Sequence, residues 1–258
     1  MRIRGRGISP GKARGEALIL EEAFSFLGGV DPSTGRLTLE DRTDSVEGKV
    51  LVFPRGKGST VGSYVILDLV RRGKAPAAIV NHLAEPIVAT GAVMAGVPMV
   101  DGVDIDLLDQ GDELIIDADA GTIDIPEVKE VEVVTSILRN RGKALILKRS
   151  DQVGSCRGMW AGISGFIEEG EEPLQAALRE ISEEARIESP SLVASGEVLR
   201  IRKGEMSWLV HPFLFESSSR EVQTDWEHID HSWIDPEELT GYDSVPNLDE
   251  VFRALGLI

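Results

Sequence analysis

The sequence predicts two units, a layered α/β unit followed by an α+β one, and three observations carry that expectation. The chain has 258 residues, enough for two domains of ordinary size. Residues up to about 126 are rich in glycine and small aliphatics and hold none of the four tryptophans, which stand at 160, 208, 226 and 233. Between the blocks, Asp124-Ile125-Pro126-Glu127-Val128 reads as a strand end and a proline, followed by a new alternating run, Val131-Glu132-Val133-Val134. The expected units are residues 1–126 and 129–258.

In the first block, Lys49 to Phe53 is an apolar, β-branched strand, and Pro54-Arg55-Gly56-Lys57-Gly58 reads as a loop. Ser59-Thr60 suit a helix N-cap, and Val61, Val65, Ile66, Leu69 and Val70 follow at helical spacing until Gly73. Ala77 to Val80 reads as a buried strand, Glu85 to Ala95 as a small-residue helix and Val97 to Val100 as a further strand. Glu113 to Asp117 and Thr122 to Ile125 flank Ala120-Gly121 as a hairpin. Strand–helix–strand order with an appended hairpin predicts layers, not an all-β barrel.

The second block opens with a hairpin, Val131 to Leu138 and Ala144 to Lys148, turning at Asn140-Arg141-Gly142. A loop with Gly154, Gly158 and Gly162 leads to Gly165 and a strong helix. Strands are expected at Val193 to Arg202 and Trp208 to Glu216, and a last helix from Asn247 to Leu255.

Composition excludes several classes. Acidic residues number 44 against 27 basic ones, a net charge of −17, which argues against a nucleic-acid surface. No apolar run approaches the ~18–20 residues that span a bilayer, and no apolar core follows the basic start Met1-Arg2-Ile3-Arg4-Gly5-Arg6. A cytoplasmic protein is the expectation. Cys156 is the single cysteine, so this chain forms no internal disulfide and cannot by itself hold an iron–sulfur cluster. The histidines, 82, 211, 228 and 231, show no tight ligand spacing, and His228 and His231 read as loop-orienting.

The densest chemistry lies on the helix after Pro173, a residue suited to a first helical turn. Leu174, Ala177, Leu178, Ile181 and Ala185 make a core-facing stripe. Glu180, Glu183 and Glu184 fall on a different face, within an arc of roughly 100°. Crowded carboxylates repel one another unless a cation sits among them, and oxygen-only ligands suit Mg²⁺ or Mn²⁺. Arg179 is placed to pair with Glu183.

Gly165, five residues, Glu171, seven residues, then Arg179-Glu180-Ile181-Ser182-Glu183-Glu184-Ala185-Arg186-Ile187 resembles the Nudix box, with Arg186 standing where that family has glycine. The departure touches the turn after the helix, not a metal ligand. The resemblance extends to Trp160 and Gly162 before the box and to Trp226-Glu227-His228 and Trp233-Ile234-Asp235-Pro236 behind it. It implies an α/β/α sandwich that hydrolyses a diphosphate linkage with Mg²⁺ or Mn²⁺. Glu183 and Glu184 would be principal metal ligands, Glu180 a ligand or the base, Arg179 the residue that holds them, and Glu227 a possible extra base.

The turn Pro54 to Ser63 places Arg55 and Lys57 at a helix start, a setting that attracts anions. It is not a P-loop, because Lys57 precedes Gly58, and its glycines are a weak dinucleotide signal. A structural turn capped by Ser59 is the alternative. Arg4 to Ala17, Phe26 to Gly35, Pro54 to Ser63, Ala75 to Asn81 and Glu85 to Ala92 together resemble the small-subunit, or swivel, domain of the aconitase X family, the archaeal phosphomevalonate dehydratase small subunits in particular.

That resemblance implies a swivelling β/β/α domain and dehydration of (R)-5-phosphomevalonate to trans-anhydromevalonate 5-phosphate. The [4Fe-4S] cluster would lie in a partner large subunit, and Ser59 would remove the proton, with Arg55, Lys57 and Gly58 at the substrate. A serine needs its alkoxide stabilised to act as a base, and a helix N-terminus beside two cations is such a setting. A hydroxyproline-type dehydratase subunit fits the same motif. The box-bearing half also admits a second reading, as a non-catalytic docking or sensing module.

Overall fold

The computed structural model describes residues 1–39 and 42–258, and the chain divides into two compact units, Met1–Lys129 and Glu130–Ile258. Among the described residues no helix is long and apolar enough to cross a membrane.

The first unit is built on an eight-stranded mixed sheet. Its strands run in the order Arg2–Arg4, Thr122–Asp124, Glu113–Asp117, Lys12–Ile19, Val50–Arg55, Ala78–Leu83, Met99–Asp101 and Arg6–Ser9. Lys12–Ile19 is the seam, antiparallel to Glu113–Asp117 on one side and parallel to Val50–Arg55 on the other. The strands at the two ends of the order are separated in sequence only by Gly5, so the sheet must curl until its ends meet. A side chain at Gly5 would collide with the Asp101 carbonyl and the Val103 side chain, which is why this join is a glycine.

Alternation along the central strands feeds two cores. Val50, Val52, Ala78 and Val80 point into the curl, with Ile3, Leu114, Ile116 and Ile123. Leu51, Phe53 and Ile79 point the other way, against Ile66 and Leu69 of the helix Val61–Arg71 and Val88 and Ala92 of the helix Pro86–Ala95. The result is the swivelling β/β/α arrangement that the resemblance implied.

Three local expectations need correction. Strand Val50–Arg55 runs through Pro54 into the segment expected to be loop, since Arg55 still pairs in parallel with Leu83. Val61 and Val70 are exposed, and the helix buries Gly62, Ser63, Ile66 and Leu69 instead. The strands within Arg2–Ile19 were missing from the pattern reading. Their outward arginines and lysine pair with acids from far along the chain: Arg2 with Asp124, Arg6 with Asp101, Lys12 with Asp117 and Arg14 with Glu113.

The second unit repeats the two-sided design. Its sheet runs Trp160–Ala161, Lys143–Arg149, Lys129–Asn140, Met206–Glu216, Ser191–Ser195, with Ile163–Phe166 on Lys129–Asn140, Leu199–Lys203 on Met206–Glu216 and His228–Ile234 on Lys143–Arg149. Leu145 and Leu147 face the helix Pro173–Ala185, and Ala144 and Ile146 face Val251 and Phe252 of the helix Leu248–Ala254. This is an α/β/α sandwich. Arg141 and Gly142 both take positive φ (50° and 81°), which gives the hairpin between the first two strands a turn that follows their twist. The expected strand Val193 to Arg202 is two strands, Ser191–Ser195 and Leu199–Lys203, both pairing with Met206–Glu216.

The carboxylate helix is rotated from its expected orientation. Leu174 and Leu178 are exposed, while Ala176, Ala177, Glu180, Ile181, Glu184 and Ala185 are buried. Two of the glutamates therefore sit on the buried face and not on a separate one. At its C-terminus Arg186 is left-handed (φ 54°, ψ 31°), the conformation that glycine takes at no steric cost. Arg186→Gly is therefore expected to stabilise this unit by about 1 kcal/mol, read as a raised thermal midpoint. An unchanged or lowered midpoint would show that the side chain repays the strain.

Candidate active sites

In the first unit the parallel strands end on one edge, and both helices start from that edge. The turn after Val50–Arg55 is zipped to the segment before it: Phe24 N–H donates to the Arg55 carbonyl (3.0 Å) and Lys57 N–H to the Phe24 carbonyl (2.9 Å). Gly58 holds φ +106°, and a side chain there would press on Ser25 Oγ. Ser59 follows, exposed, and its Oγ accepts from the Val61 amide at 3.3 Å. Ser59 is thus the capping side chain; Thr60 is already helical and makes no such bond.

Arg55, Lys57, Gly58 and Ser59 are all exposed on this edge. Only Lys57 reaches the wall of the adjoining cavity of about 660 Å³, which Glu21, Phe24, Leu27 and Arg42 also line. Glu85 caps the second helix, accepting from the Ile87 and Val88 amides (3.0 and 3.4 Å).

In the second unit a cleft of about 600 Å³ opens between the glycine loop, the carboxylate helix and the segment before strand His228–Ile234. Glu180, Glu184, Glu227, Glu168, Arg149 and Arg179 are its charged lining residues. Arg179 organises the helix side. Its Nε and Nη2 donate to Glu171 (3.0 Å each), Nη2 also to the Phe166 carbonyl (3.0 Å), and Nη1 to Glu180 Oε1 (2.6 Å), with Glu183 Oε2 at 3.5 Å. These partners raise the arginine's pKa, the Glu171 bonds most, and lower that of Glu171. The expected Arg179–Glu183 contact is therefore the longest of the set, and Glu183 stays on the solvent side, outside the cleft lining.

Glu180 lies flat against Gly165: a Cβ on that glycine would occupy the carboxylate's place. Burial raises the Glu180 pKa against the pull of Arg179. Glu184 is 5% exposed, and its Oε2 is buried without a hydrogen-bond partner. Burial, followed by the charges of Glu180, Asp225 and Glu227, pushes its carboxyl up to about 9.

Among the described residues no three His, Cys, Asp or Glu side chains are drawn into a ready metal shell, because Arg179 engages Glu180 and Glu183. The carboxylates that line the cleft, Glu180 and Glu184 among them, nonetheless offer the oxygen donors that suit a hard divalent cation.

The Glu184 shift has a measurable consequence. A carboxyl whose pKa is higher in the folded state stabilises fully below its unfolded value and loses that contribution as pH rises toward about 9. Without metal, the thermal midpoint of this unit is expected to fall between about pH 5.5 and about pH 8.5, and Glu184→Gln to flatten the slope. Equal slopes in the two proteins would count against the burial account.

Sequence reasoning gave His228 only a loop-orienting role, which its contact with Asp225 fits. It is 3% exposed and begins the strand that pairs with Lys143–Arg149, opposite Arg149. Its second neighbour, Glu184, stands on the carboxylate helix, far from it in sequence. Arg149, unremarked in sequence, lines the same cleft. Cys156 is partly exposed, in the glycine loop.

Comparison with known proteins falls into the same two halves. The family described as "Aconitase X swivel domain" matches residues 2–125, and the family described as "NUDIX domain" matches residues 129–255. A phosphomevalonate dehydratase small subunit from Thermococcus onnurineus is 53% identical over 130 residues, covering 49% of this chain and 100% of the relative. The crystal structure of Thermococcus kodakaraensis aconitase X (holo-form) has 52% identity and a TM-score of 0.48, covering 48% of this chain and 98% of that one. The MutT protein from Methanosarcina mazei Go1 has 23% identity and a TM-score of 0.42, covering 49% and 93%. Matched over the full length of such relatives, the chain belongs to the phosphomevalonate dehydratase small-subunit family of aconitase X swivel domains, and it carries a NUDIX domain in its second half.

Proposed function

We propose that the chain carries two chemistries, a hydro-lyase half that works with a large subunit and a metal-dependent hydrolase half that cleaves a diphosphate linkage. For the first, the substrate is (R)-5-phosphomevalonate and the product trans-anhydromevalonate 5-phosphate. A [4Fe-4S] cluster in the large subunit would supply Lewis acidity for the departing hydroxyl. On this chain, Ser59 takes the proton from the neighbouring carbon, and the exposed Arg55 and Lys57 hold the anionic substrate over the helix start. Full-length similarity to small subunits supports this half. Anaerobic reconstitution with the large subunit tests it: turnover of hydroxyproline with phosphomevalonate left untouched would replace the substrate.

For the second half, the observation that carries the reading is the buried pair Glu180 and Glu184 on one cleft wall. Glu180, Glu183 and Glu184 would hold Mg²⁺ or Mn²⁺. When bound, the cation supplies stabilisation of charge on the diphosphate and a more acidic water. Arg179 fixes Glu180, and of the other charged residues that line the cleft, Arg149 would contact the diphosphate and Glu227 would be the base. The test is the full chain with Mn²⁺ against nucleoside and prenyl diphosphates side by side, with a chelator as control. Failure to release phosphate or nucleotide from any of them would sink the hydrolase reading.

A further inference from the structure

Two buried polar atoms in the second unit lack hydrogen-bond partners and face each other. His228 Nε2 and Glu184 Oε2 lie 3.8 Å apart, beyond a hydrogen bond but with no other partner for either. The other side of the imidazole is fixed. His228 Nδ1 is 3.1 Å from Asp225 Oδ1, and the same oxygen accepts from the Glu227 amide at 3.0 Å. A carboxylate can only accept, so Nδ1 carries the proton of that bond, and to hold a carboxylate at Glu184 Nε2 must carry one as well. One aspartate therefore sets both the ring that faces Glu184 and the backbone that presents Glu227.

We propose that the Asp225–His228 pair positions Glu184 for the divalent cation, and through Asp225 ties the turn bearing Glu227 to the carboxylate helix. The inference rests on the metal-hydrolase reading above. Its physical basis is that a ligating carboxylate with one oxygen buried must be held by a neighbour, or it turns away from the metal. Such outer partners are worth about 10–100-fold in metal affinity. At 3.8 Å the two atoms are a small side-chain rotation from bonding, and Glu184 already lines the cleft. His228 touches neither substrate nor metal in this scheme; it is a positioning residue.

The two conservative replacements of histidine separate this role from a merely structural one. Asparagine places its amide near Nδ1, keeping the bond to Asp225 while losing Nε2. Glutamine places its amide near Nε2, keeping a donor toward Glu184. Mn²⁺ affinity of the full chain, read by electron paramagnetic resonance, is expected to weaken about 10–100-fold in His228→Asn and to stay near the unaltered value in His228→Gln. If His228→Asn does not fold, Asp225→Asn carries the test, since it loosens the ring without removing it, and it is expected to weaken Mn²⁺ binding. His228→Asn binding Mn²⁺ as tightly as the unaltered chain, or His228→Gln as weakly as His228→Asn, would overturn the inference alone. No Mn²⁺ binding by the unaltered chain would overturn the hydrolase reading and this inference with it.

Discussion

Gly165→Ala is expected to lower kcat/KM for diphosphate hydrolysis by about 100-fold or more, although no metal ligand is changed. A methyl group at this position takes the space of the Glu180 carboxylate. Glu180 cannot step aside cheaply, because it is buried and held by Arg179, which is itself anchored on Glu171 and the Phe166 carbonyl. Displacing Glu180 therefore moves the guanidinium and its neighbours together. Gly165 has no positive φ, so the loss is one of space and not of backbone freedom. Gly241→Ala, where a Cβ meets open space, is the matched control. Retention of more than a third of the activity by Gly165→Ala would sink this account.

The second large effect belongs to the other half. Ser59→Ala, assembled with the large subunit, is expected to lose dehydration by about 10²–10⁴-fold, the usual worth of a proton-transfer group, while diphosphate hydrolysis by the same chain is unchanged. The substitution also removes a helix cap, because Ser59 Oγ accepts from the Val61 amide, at a cost of about 0.5–2 kcal/mol. Ser59→Asn keeps a capping acceptor and discards the hydroxyl, so it separates the two effects. Full dehydratase activity in Ser59→Asn would assign Ser59 to the cap alone.

What the sequence made legible was local. Gly165, Glu171, Arg179, Glu180 and Glu184 are tied by one strand, one turn and one helix, so their spacing along the chain is already their geometry. The hairpin at Arg141-Gly142 was readable for the same reason. What was illegible was set across the sheet. The partnership of His228 with Glu184 depends on the pairing of two strands distant from the helix in sequence, and no spacing encodes it. Leu174 and Leu178 misled because apolar character alone was used to find the buried face. The helix packs its alanines and two glutamates inward, and the larger leucines remain at the surface. Along Arg2–Ser9, arginine and glycine hid strands whose partners lie about a hundred positions away.

The pairing of Arg2–Arg4 with Thr122–Asp124 also has a consequence for how the polypeptide emerges during synthesis. The first unit cannot close until residue 124 has left the ribosome, so its earliest strand waits unpaired through nearly the whole of that unit's translation. Contacts of such long separation make closure slow relative to helix formation. Glycine and arginine are poor material for strand-to-strand aggregation, and they occupy the stretch that waits longest.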